Sequence, residues 1–206
     1  MAETTADPIL FSAGPAQLRR SPLEHLAPAL ATTEHSLGVA LREIPFTTQI
    51  GLRAAPGSSA HEALAEATGV GLPMRASEVA GDPGSVAVLW LGPDEFLVIG
   101  PEDGQPLLED LSRGLGDLPG QVVDLSANRT IIAVEGEQAR DLLEKGVPVD
   151  LHPRSFGPGQ AVTTLLGPAP VLLWQTAEQS YRVLPRASFA DYTARWLLDA
   201  AREHHR

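Results

Sequence analysis

Residues 145–156 hold the pair of side chains in this sequence that comes closest to an acid–base couple. Asp150 and His152 alternate with apolar residues, so in an extended chain both would point to one side. A carboxylate beside a histidine suggests a general base, but no nucleophile or water-activating group is evident next to this pair. Pro148 and Pro153 stiffen the backbone, which favours contact with another protein over catalysis. We therefore predict an interface formed by Lys145, Asp150, His152, Pro153, Arg154 and Phe156.

A second cluster of polar residues follows the apolar stretch at 122–125. Its members, which could together bind a polar ligand, are Asp124, Ser126, Asn128 and Arg129. The same residues could equally satisfy one another in a hairpin between strands at 122–125 and 130–134, because short polar side chains readily bond to nearby backbone. We favour the hairpin, and we retain Asp124 as the nearest candidate for a buried acid.

Two adjacent carboxylates lie between apolar stretches at 86–91 and 96–99. Asp94 and Glu95 could serve as a carboxylate pair on one substrate. They follow a Gly-Pro dipeptide at 92–93, and successive residues in a turn rarely converge on one substrate. A structural turn is therefore the favoured interpretation.

Motifs for nucleotides, metals and covalent catalysis are absent or incomplete. Gly69 and Gly71 begin like a dinucleotide-binding fingerprint, but Met74 occupies the third glycine position and a helix precedes them where a strand is required. The six histidines show no metal-ligand spacing, and there is no cysteine to supply a thiolate. The sequence therefore predicts no catalytic, cofactor-binding or metal-binding residue on this chain.

Charge and hydropathy limit the possible partners. The 206 residues include 15 Lys and Arg against 26 Asp and Glu, a formal net charge of −11. An acidic surface repels phosphate backbones and anionic lipids, so we expect neither nucleic acid nor membranes as partners. The longest apolar run, at 86–91, is far shorter than the ~20 residues of a membrane span. Residues 1–7 lack the basic and apolar regions of a signal peptide, and we predict a cytoplasmic protein.

The candidate residues lie on or between predicted strands and helices, which follow one another in a regular order. Roughly two strands precede each of four main predicted helices, which span 59–68, 105–116, 137–145 and 188–203. Tight turns join successive strands, so we expect mostly antiparallel sheets and an α+β fold. Residues 1–20 are aperiodic and are predicted to form a flexible arm, whereas residues 21–206 form a single domain.

Local signals predict where individual helices begin and end. Ser59 and Glu62 resemble a capping box, and Pro28 limits a short helix that begins at Ser21. Ser188 is the predicted cap of the last helix. The buried face of that helix is predicted to contain Phe189, Tyr192, Trp196 and either Leu197 or Leu198.

Taken in order, several segments resemble the gamma subunit family of heterotetrameric sarcosine oxidases. The resemblance extends from about Ser21 to Glu203 and rests on residues 21–23, 43–46, 51–53, 89–98, 123–130, 145–156, 185–189 and 196–197. One departure is visible, because the family's usual pattern after the lysine has a cysteine where this chain has Val147. We interpret that difference as a change in packing.

The resemblance implies a division of labour among subunits. The fold would be similar to the folate-binding, aminomethyltransferase-like domain, and the chain would be a non-catalytic assembly subunit. Its alpha, beta and delta partners would carry NAD, FAD, FMN and zinc. From the residues of the 145–156 segment itself, we expect this segment to dock on the large subunit. The complex would convert sarcosine to glycine, hydrogen peroxide and formaldehyde or 5,10-methylenetetrahydrofolate. The alternative is an autonomous folate-binding, aminomethyltransferase-like enzyme, with Asp124 as its acid.

Overall fold

The computed structural model describes residues 18–35 and 38–204, and most of the predicted N-terminal arm lies outside them. Within this part of the chain the strands are β1 (Ala40–Ile44), β2 (Thr48–Arg53), β3 (Val79–Gly81), β4 (Ala87–Gly92), β5 (Glu95–Gly100), β6 (Gln121–Asp124), β7 (Ile131–Glu135), β8 (Gln160–Leu166), β9 (Ala169–Ala177) and β10 (Ser180–Pro185). The α-helices are α1 (Ala27–Ala31), α2 (Ser59–Thr68), α3 (Gln105–Leu115), α4 (Ala139–Glu144) and α5 (Ala190–Ala201). Short 3₁₀ helices span Glu24–Leu26, Thr32–His35, Ala187–Phe189 and Arg202–His204.

The strands form two sheets of five strands each. The first sheet has the order β1-β7-β10-β9-β8, and the second has the order β3-β4-β5-β2-β6. Every pairing between neighbouring strands is antiparallel. The predicted α+β class with antiparallel sheets is therefore confirmed.

The two sheets are built from two halves of the chain with the same order of elements. Each half has one strand, a helix, three consecutive strands and a second helix: β2-α2-β3-β4-β5-α3 and β7-α4-β8-β9-β10-α5. One further strand completes each sheet, with β6 beside β2 and β1 beside β7. The predicted repeat has two strands before each of four helices. The observed repeat has one strand before the first helix of each half and three strands before the second, and β3 is not among the predicted strands.

The connection from β6 to β7 is a crossover between the sheets. The predicted hairpin between strands at 122–125 and 130–134 is wrong, because β6 pairs with β2 whereas β7 pairs with β1 and β10. β1 and β2 are likewise neighbours in sequence but lie in different sheets. Two short apolar strands with a polar connection are common to a hairpin and to a sheet-to-sheet crossover, so the pattern does not distinguish them.

Side chains alternate between two buried layers along the central strands. On β4, Val88 packs with residues of α2 and α3, whereas the adjacent Leu89 lies between the sheets. On β9, Leu173 packs with residues of α4 and α5, whereas Trp174 lies between the sheets. The molecule therefore has four layers, in the order helices, sheet, sheet, helices. Burial on both faces explains why these strands are nearly continuous apolar runs.

Helix starts differ in detail from the predicted positions. Ser58, one residue before the predicted cap, is the N-cap of α2, and its Oγ accepts a hydrogen bond from the His61 N–H at 3.2 Å. Pro28 lies in the first turn of α1 and does not end it, since a proline there leaves no helical hydrogen bond unmade. α5 follows the 3₁₀ turn Ala187–Phe189 without a side-chain cap from Ser188.

The buried face of α5 is formed mainly by small residues, and the predicted aromatic face is wrong. Phe189 and Tyr192 are 40% and 42% exposed, and Trp196 and Leu198 are partly buried. The residues of α5 that are fully buried are Ala190, Thr193, Ala194, Leu197 and Ala201. The helix carries an aromatic stripe beside a stripe of small apolar residues, so residue spacing does not decide which one is buried. Small side chains allow the closer approach to the sheet.

Candidate functional site

The 145–156 segment folds into a compact turn after α4, and the expectation of an extended segment is wrong. Asp150 organises the turn: its Oδ1 accepts the His152 N–H at 3.0 Å and its Oδ2 accepts the Ser155 hydroxyl at 2.7 Å. The backbone N–H groups of Ser155 and Phe156 donate to the His152 carbonyl at 2.7 and 3.0 Å. The carboxylate therefore serves as a local cap for the turn.

Asp150 and His152 do not form the side-chain pair that their spacing suggests. Nδ1 of His152 accepts the Arg154 N–H at 3.2 Å, and both His152 and Asp150 are exposed to solvent. The hydrogen bond from the Ser155 hydroxyl, followed by that from the His152 N–H, lowers the pKa of Asp150. An exposed, stably ionised carboxylate that caps a turn is poorly suited to proton transfer near neutral pH.

The six residues predicted as an interface divide into one buried and five exposed side chains. Phe156 is 4% exposed and packs in the same core as Val147 and Leu151. Nζ of Lys145 donates to the Ala200 carbonyl at 2.8 Å and forms an ion pair with Glu203. Phe156 therefore anchors the segment, and the outer surface is formed by Lys145, Asp150, His152, Pro153 and Arg154.

The 124–130 crossover is a second hydrogen-bonded unit, fixed against β2. Oδ1 of Asp124 accepts the Ser126 N–H at 2.9 Å and the Ser126 hydroxyl at 2.6 Å. Oγ of Ser126 accepts the Gln49 N–H at 3.1 Å, and the Leu125 N–H donates to the Gln49 carbonyl at 2.7 Å. These polar groups therefore satisfy one another, although not in the predicted hairpin.

Asp124 is exposed, so the structure does not support it as a buried acid. The Ser126 hydroxyl, followed by the Ser126 N–H, lowers the pKa of Asp124, and burial opposes this only weakly. The side chain is therefore ionised at neutral pH. It can accept hydrogen bonds but is a poor proton donor there.

Glu43 links the N-terminal part of the described chain to the crossover. Its carboxylate accepts the Thr130 hydroxyl at 2.6 Å and the Ser21 hydroxyl at 2.5 Å. Nε2 of Gln49 donates to the Arg129 carbonyl at 2.9 Å. The crossover is thus held by β1 and by β2, which belong to different sheets.

The Arg129 guanidinium is half-buried at the end of the crossover. Its Nη1 donates to the Leu184 carbonyl at a long distance of 3.4 Å. Burial, followed by the charge of Arg186, lowers the pKa of Arg129. The predicted polar cluster at 124–130 therefore contains one cation in an unfavourable environment.

Sequence reasoning missed the contact between Arg19 and Phe46 beside this crossover. The guanidinium carbon of Arg19 lies 4.5 Å from the centroid of the Phe46 ring, and Phe46 has a φ of 56°, which is unusual for a bulky residue. A cleft of about 320 Å³ here is lined by Arg19, Arg20, Pro22, Phe46, Asp124, Ser126, Ala127, Arg129 and Thr130. The two residues belong to separate segments and to no motif, so no sequence signal pairs them.

Asp94 lies in the turn between β4 and β5, as predicted, whereas Glu95 is the first residue of β5. Arg53 on the neighbouring strand lies 3.6 Å from the Asp94 carboxylate and 3.1 Å from that of Glu95. The Ala54 N–H donates to the Asp94 carbonyl at 3.0 Å. The two carboxylates are therefore engaged by an arginine of the same chain.

Gly69, with a φ of 73°, ends α2 and does not form a nucleotide-binding turn. Across residues 18–35 and 38–204, no group of three or more His, Asp or Glu side chains is arranged to hold a metal ion. In the same part of the chain, no helix has the length and apolar character needed to cross a membrane.

Comparison with known proteins assigns this arrangement to a family. The model of the "Sarcosine oxidase, gamma subunit family" matches residues 52–203. The chain belongs to the sarcosine oxidase gamma subunit family. It is 57% identical over 189 residues to sarcosine oxidase subunit gamma of Corynebacterium sp. (strain U-96), covering 91% of this chain and 92% of that one. It is 55% identical over 186 residues to the subunit gamma of Arthrobacter sp., covering 90% and 91%.

Comparison with solved structures supports the assignment of this chain to the gamma subunit family. A chain of the heterotetrameric sarcosine oxidase from Corynebacterium sp. U-96, in complex with pyrrole 2-carboxylate, has a TM-score of 0.89 at 56% identity over 92% of this chain and 98% of that one. The glycine cleavage system aminomethyltransferase T of Bartonella henselae has a TM-score of 0.67 at 16% identity, over 88% of this chain and 57% of that one. The predicted aminomethyltransferase-like fold is confirmed.

Proposed function

We propose that this chain is a non-catalytic assembly subunit of a heterotetrameric sarcosine oxidase. The observation that carries the proposal is the match, at 56% identity and a TM-score of 0.89, to nearly the whole length of one chain of such an oxidase. Similarity of this extent includes surface residues as well as core residues. We therefore infer that this chain occupies the same position in its own complex as the matched chain does in the solved oxidase.

The non-catalytic role is supported by the contacts of the candidate acids and bases. Asp150 caps its own turn, Asp124 is bonded to Ser126, and Asp94 is paired with Arg53. Each carboxylate thus has a local structural partner. The lowered pKa values of Asp124 and Asp150 further separate these groups from the near-neutral range where a general acid is effective.

In this proposal the redox chemistry takes place on the other subunits, in the cytoplasm. The alpha, beta and delta subunits would carry NAD, FAD, FMN and zinc. The complex would convert sarcosine to glycine, with hydrogen peroxide and formaldehyde or 5,10-methylenetetrahydrofolate as the other products. The present chain would contribute surface and rigidity to the assembly.

We assign docking on the large subunit to the outer surface of the 145–156 segment. The Asp150 cap and the buried Phe156 hold this surface in one conformation before association. A preorganised segment loses less conformational entropy on binding, which favours a permanent interface. Phe156 contributes to this surface indirectly, as its anchor.

The experiment is reconstitution of the complex with a chain that carries both Asp150→Ala and His152→Ala. We expect a lower yield of complete complex, because the turn loses its cap, while turnover per bound flavin in the complex that forms stays near wild type. Asp94→Ala, on a turn outside the segment, is the matched control and should leave the yield unchanged. Normal assembly with a collapse of turnover per flavin would show that the segment is catalytic.

Titration of the purified chain with tetrahydrofolate tests the alternative enzyme. The proposed assembly role predicts no saturable binding of folate together with tight binding to the other subunits. Saturable folate binding that is abolished by Asp124→Asn would instead support an aminomethyltransferase-like activity.

A further inference from the structure

Two arginines face each other where the 124–130 crossover meets the start of α5. Arg129 and Arg186 form an isolated antiparallel bridge, and the adjacent Ala187 N–H donates to the Asn128 carbonyl at 2.8 Å. Residues directly opposite across such a pairing have Cβ atoms about 4.5–5.5 Å apart, and like charges in this position are destabilising. The pair therefore has a cost for the isolated chain.

No carboxylate in the described part of the chain compensates this charge. Among residues 18–35 and 38–204, no Asp or Glu oxygen lies within 4.0 Å of the guanidinium nitrogens of Arg129 or Arg186. By contrast, Arg53 and Arg195 each have a carboxylate of the same chain at about 3 Å. Burial and the neighbouring Arg186 also lower the pKa of Arg129, so its surroundings disfavour the charged form.

The residues beside the pair are of the kind found at protein interfaces. Phe189 and Tyr192 lie in the helical run that begins after Arg186, three residues apart and so on the same side of it, and both are about two-fifths exposed. Arginine and aromatic residues dominate the binding energy of protein interfaces. The pair is positive although the chain has a net charge of −11, and a positive site favours an acidic partner.

We propose that Arg129, Arg186, Phe189 and Tyr192 form a docking site for an acidic side chain, Asp or Glu, of another subunit of the heterotetramer. This inference rests on the proposed function of the chain as an assembly subunit. A carboxylate between the two guanidinium groups accepts hydrogen bonds from both and removes their repulsion. Exposed Phe189 and Tyr192, on the helical run that follows Arg186, supply apolar contact area for the same partner.

The test is Arg186→Glu in the full chain, measured in two ways. The substitution places a carboxylate opposite Arg129 within the chain, so the thermal midpoint of the purified chain should rise by about 1–2 °C. The dissociation constant for the other subunits should increase at least tenfold, because the site then repels an acidic side chain. A purely structural role of Arg186 does not predict these opposite effects on stability and on assembly.

Two further variants complete the experiment. Arg186→Gln should weaken assembly less than Arg186→Glu, because it removes one cation without adding an anion. Arg113→Glu is the matched control, since exposed Arg113 pairs with Asp110 in its own helix, and it should leave the affinity for the other subunits unchanged. If wild type binds and Arg186→Glu binds equally well, the inference is overturned and the proposed function stands. If the wild-type chain itself fails to bind the other subunits, both the docking site and the proposed function are wrong.

Discussion

The guanidinium carbon of Arg182 lies 4.8 Å from the centroid of the Trp174 ring, with the two residues directly opposite each other on β10 and β9. Nη2 of Arg182 also donates to the Pro83 carbonyl at 2.7 Å. Pro83 lies in the connection between β3 and β4, so this arginine joins the first sheet to the second. Trp174 belongs to the core between the sheets, and Arg182 covers it.

We predict that Arg182→Ala lowers the free energy of unfolding by about 1–3 kcal/mol, because it removes both a cation–π contact and a hydrogen bond between the sheets. Urea unfolding of the purified chain measures the effect. Arg113→Ala, which removes an exposed arginine paired within one helix, should change the same quantity by less than about 0.5 kcal/mol. Equal effects of the two substitutions would show that Arg182 does not join the sheets.

Phe156→Ala should destabilise the chain strongly, by about 3–5 kcal/mol, because it leaves a cavity among buried residues. His152→Ala, in the same turn but exposed, should alter the free energy of unfolding by no more than about 0.5 kcal/mol. Both values can be taken from denaturant unfolding curves. A small effect of Phe156→Ala would place this side chain at the surface, as its sequence position first suggested.

Gly81→Ala should be more destabilising than Gly69→Ala, although both glycines have a positive φ, of 89° and 73°. A Cβ at Gly69 meets no atom within 4 Å, so the alanine there carries only the backbone penalty of about 1 kcal/mol. A Cβ at Gly81 would clash with the Val86 carbonyl oxygen, which must move and weaken the pairing of β3 with β4. Thermal unfolding of the two variants should rank them clearly, and equal midpoints would contradict the close approach.

Asp124→Asn should reduce stability at neutral pH but not at low pH. The pKa of Asp124 in the folded chain lies below its ordinary value of 3.8, so its contribution is fully present above pH 3.8 and is lost as the pH falls through the folded-state pKa. The group is exposed, so the loss at pH 7 should be about 1 kcal/mol or less. Unfolding measured from pH 7 down through pH 3.8 and below tests this, because the difference between wild type and variant should shrink as the pH falls.

Ser126→Ala supplies the control for that measurement. In a chain that already carries Ser126→Ala, Asp124→Asn should have a smaller effect at pH 7, because the main hydrogen bond to the carboxylate is gone. An unchanged effect in the double variant would assign the lowered pKa to another cause.

The elements were predictable because their local signals are strong. β4 and β5 are apolar runs separated by a Gly-Pro turn, and the sequence predicts both the strands and their pairing. α3 begins and ends close to the predicted 105–116. Such pairs and helices depend on residues close in sequence, where turn chemistry and periodicity act directly.

The sequence did not predict strand pairing or helix orientation where two arrangements have the same pattern of apolar and polar residues. The 124–130 connection suits a hairpin and a crossover equally, and only the pairing of β7 with β1 and β10 decides between them. α5 has two adjacent apolar stripes, and packing against the sheet selects the one with Ala194 and Leu197. The Arg129–Arg186 bridge joins residues far apart in the sequence, so no local motif predicts it.

The place of β1 in the sheet of the second half also sets an order of events during synthesis on the ribosome. The second sheet uses residues 48–124 alone, so it can be completed as soon as that stretch has emerged. β1 is made earlier but must wait for β7, and the bonded pair Glu43 and Thr130 is separated by 87 positions. At about 5–20 residues per second, this strand stays unpaired for roughly 4–17 seconds in the nascent chain. An emerging chain therefore carries an open strand edge for that interval, a target for chaperones and for mispairing.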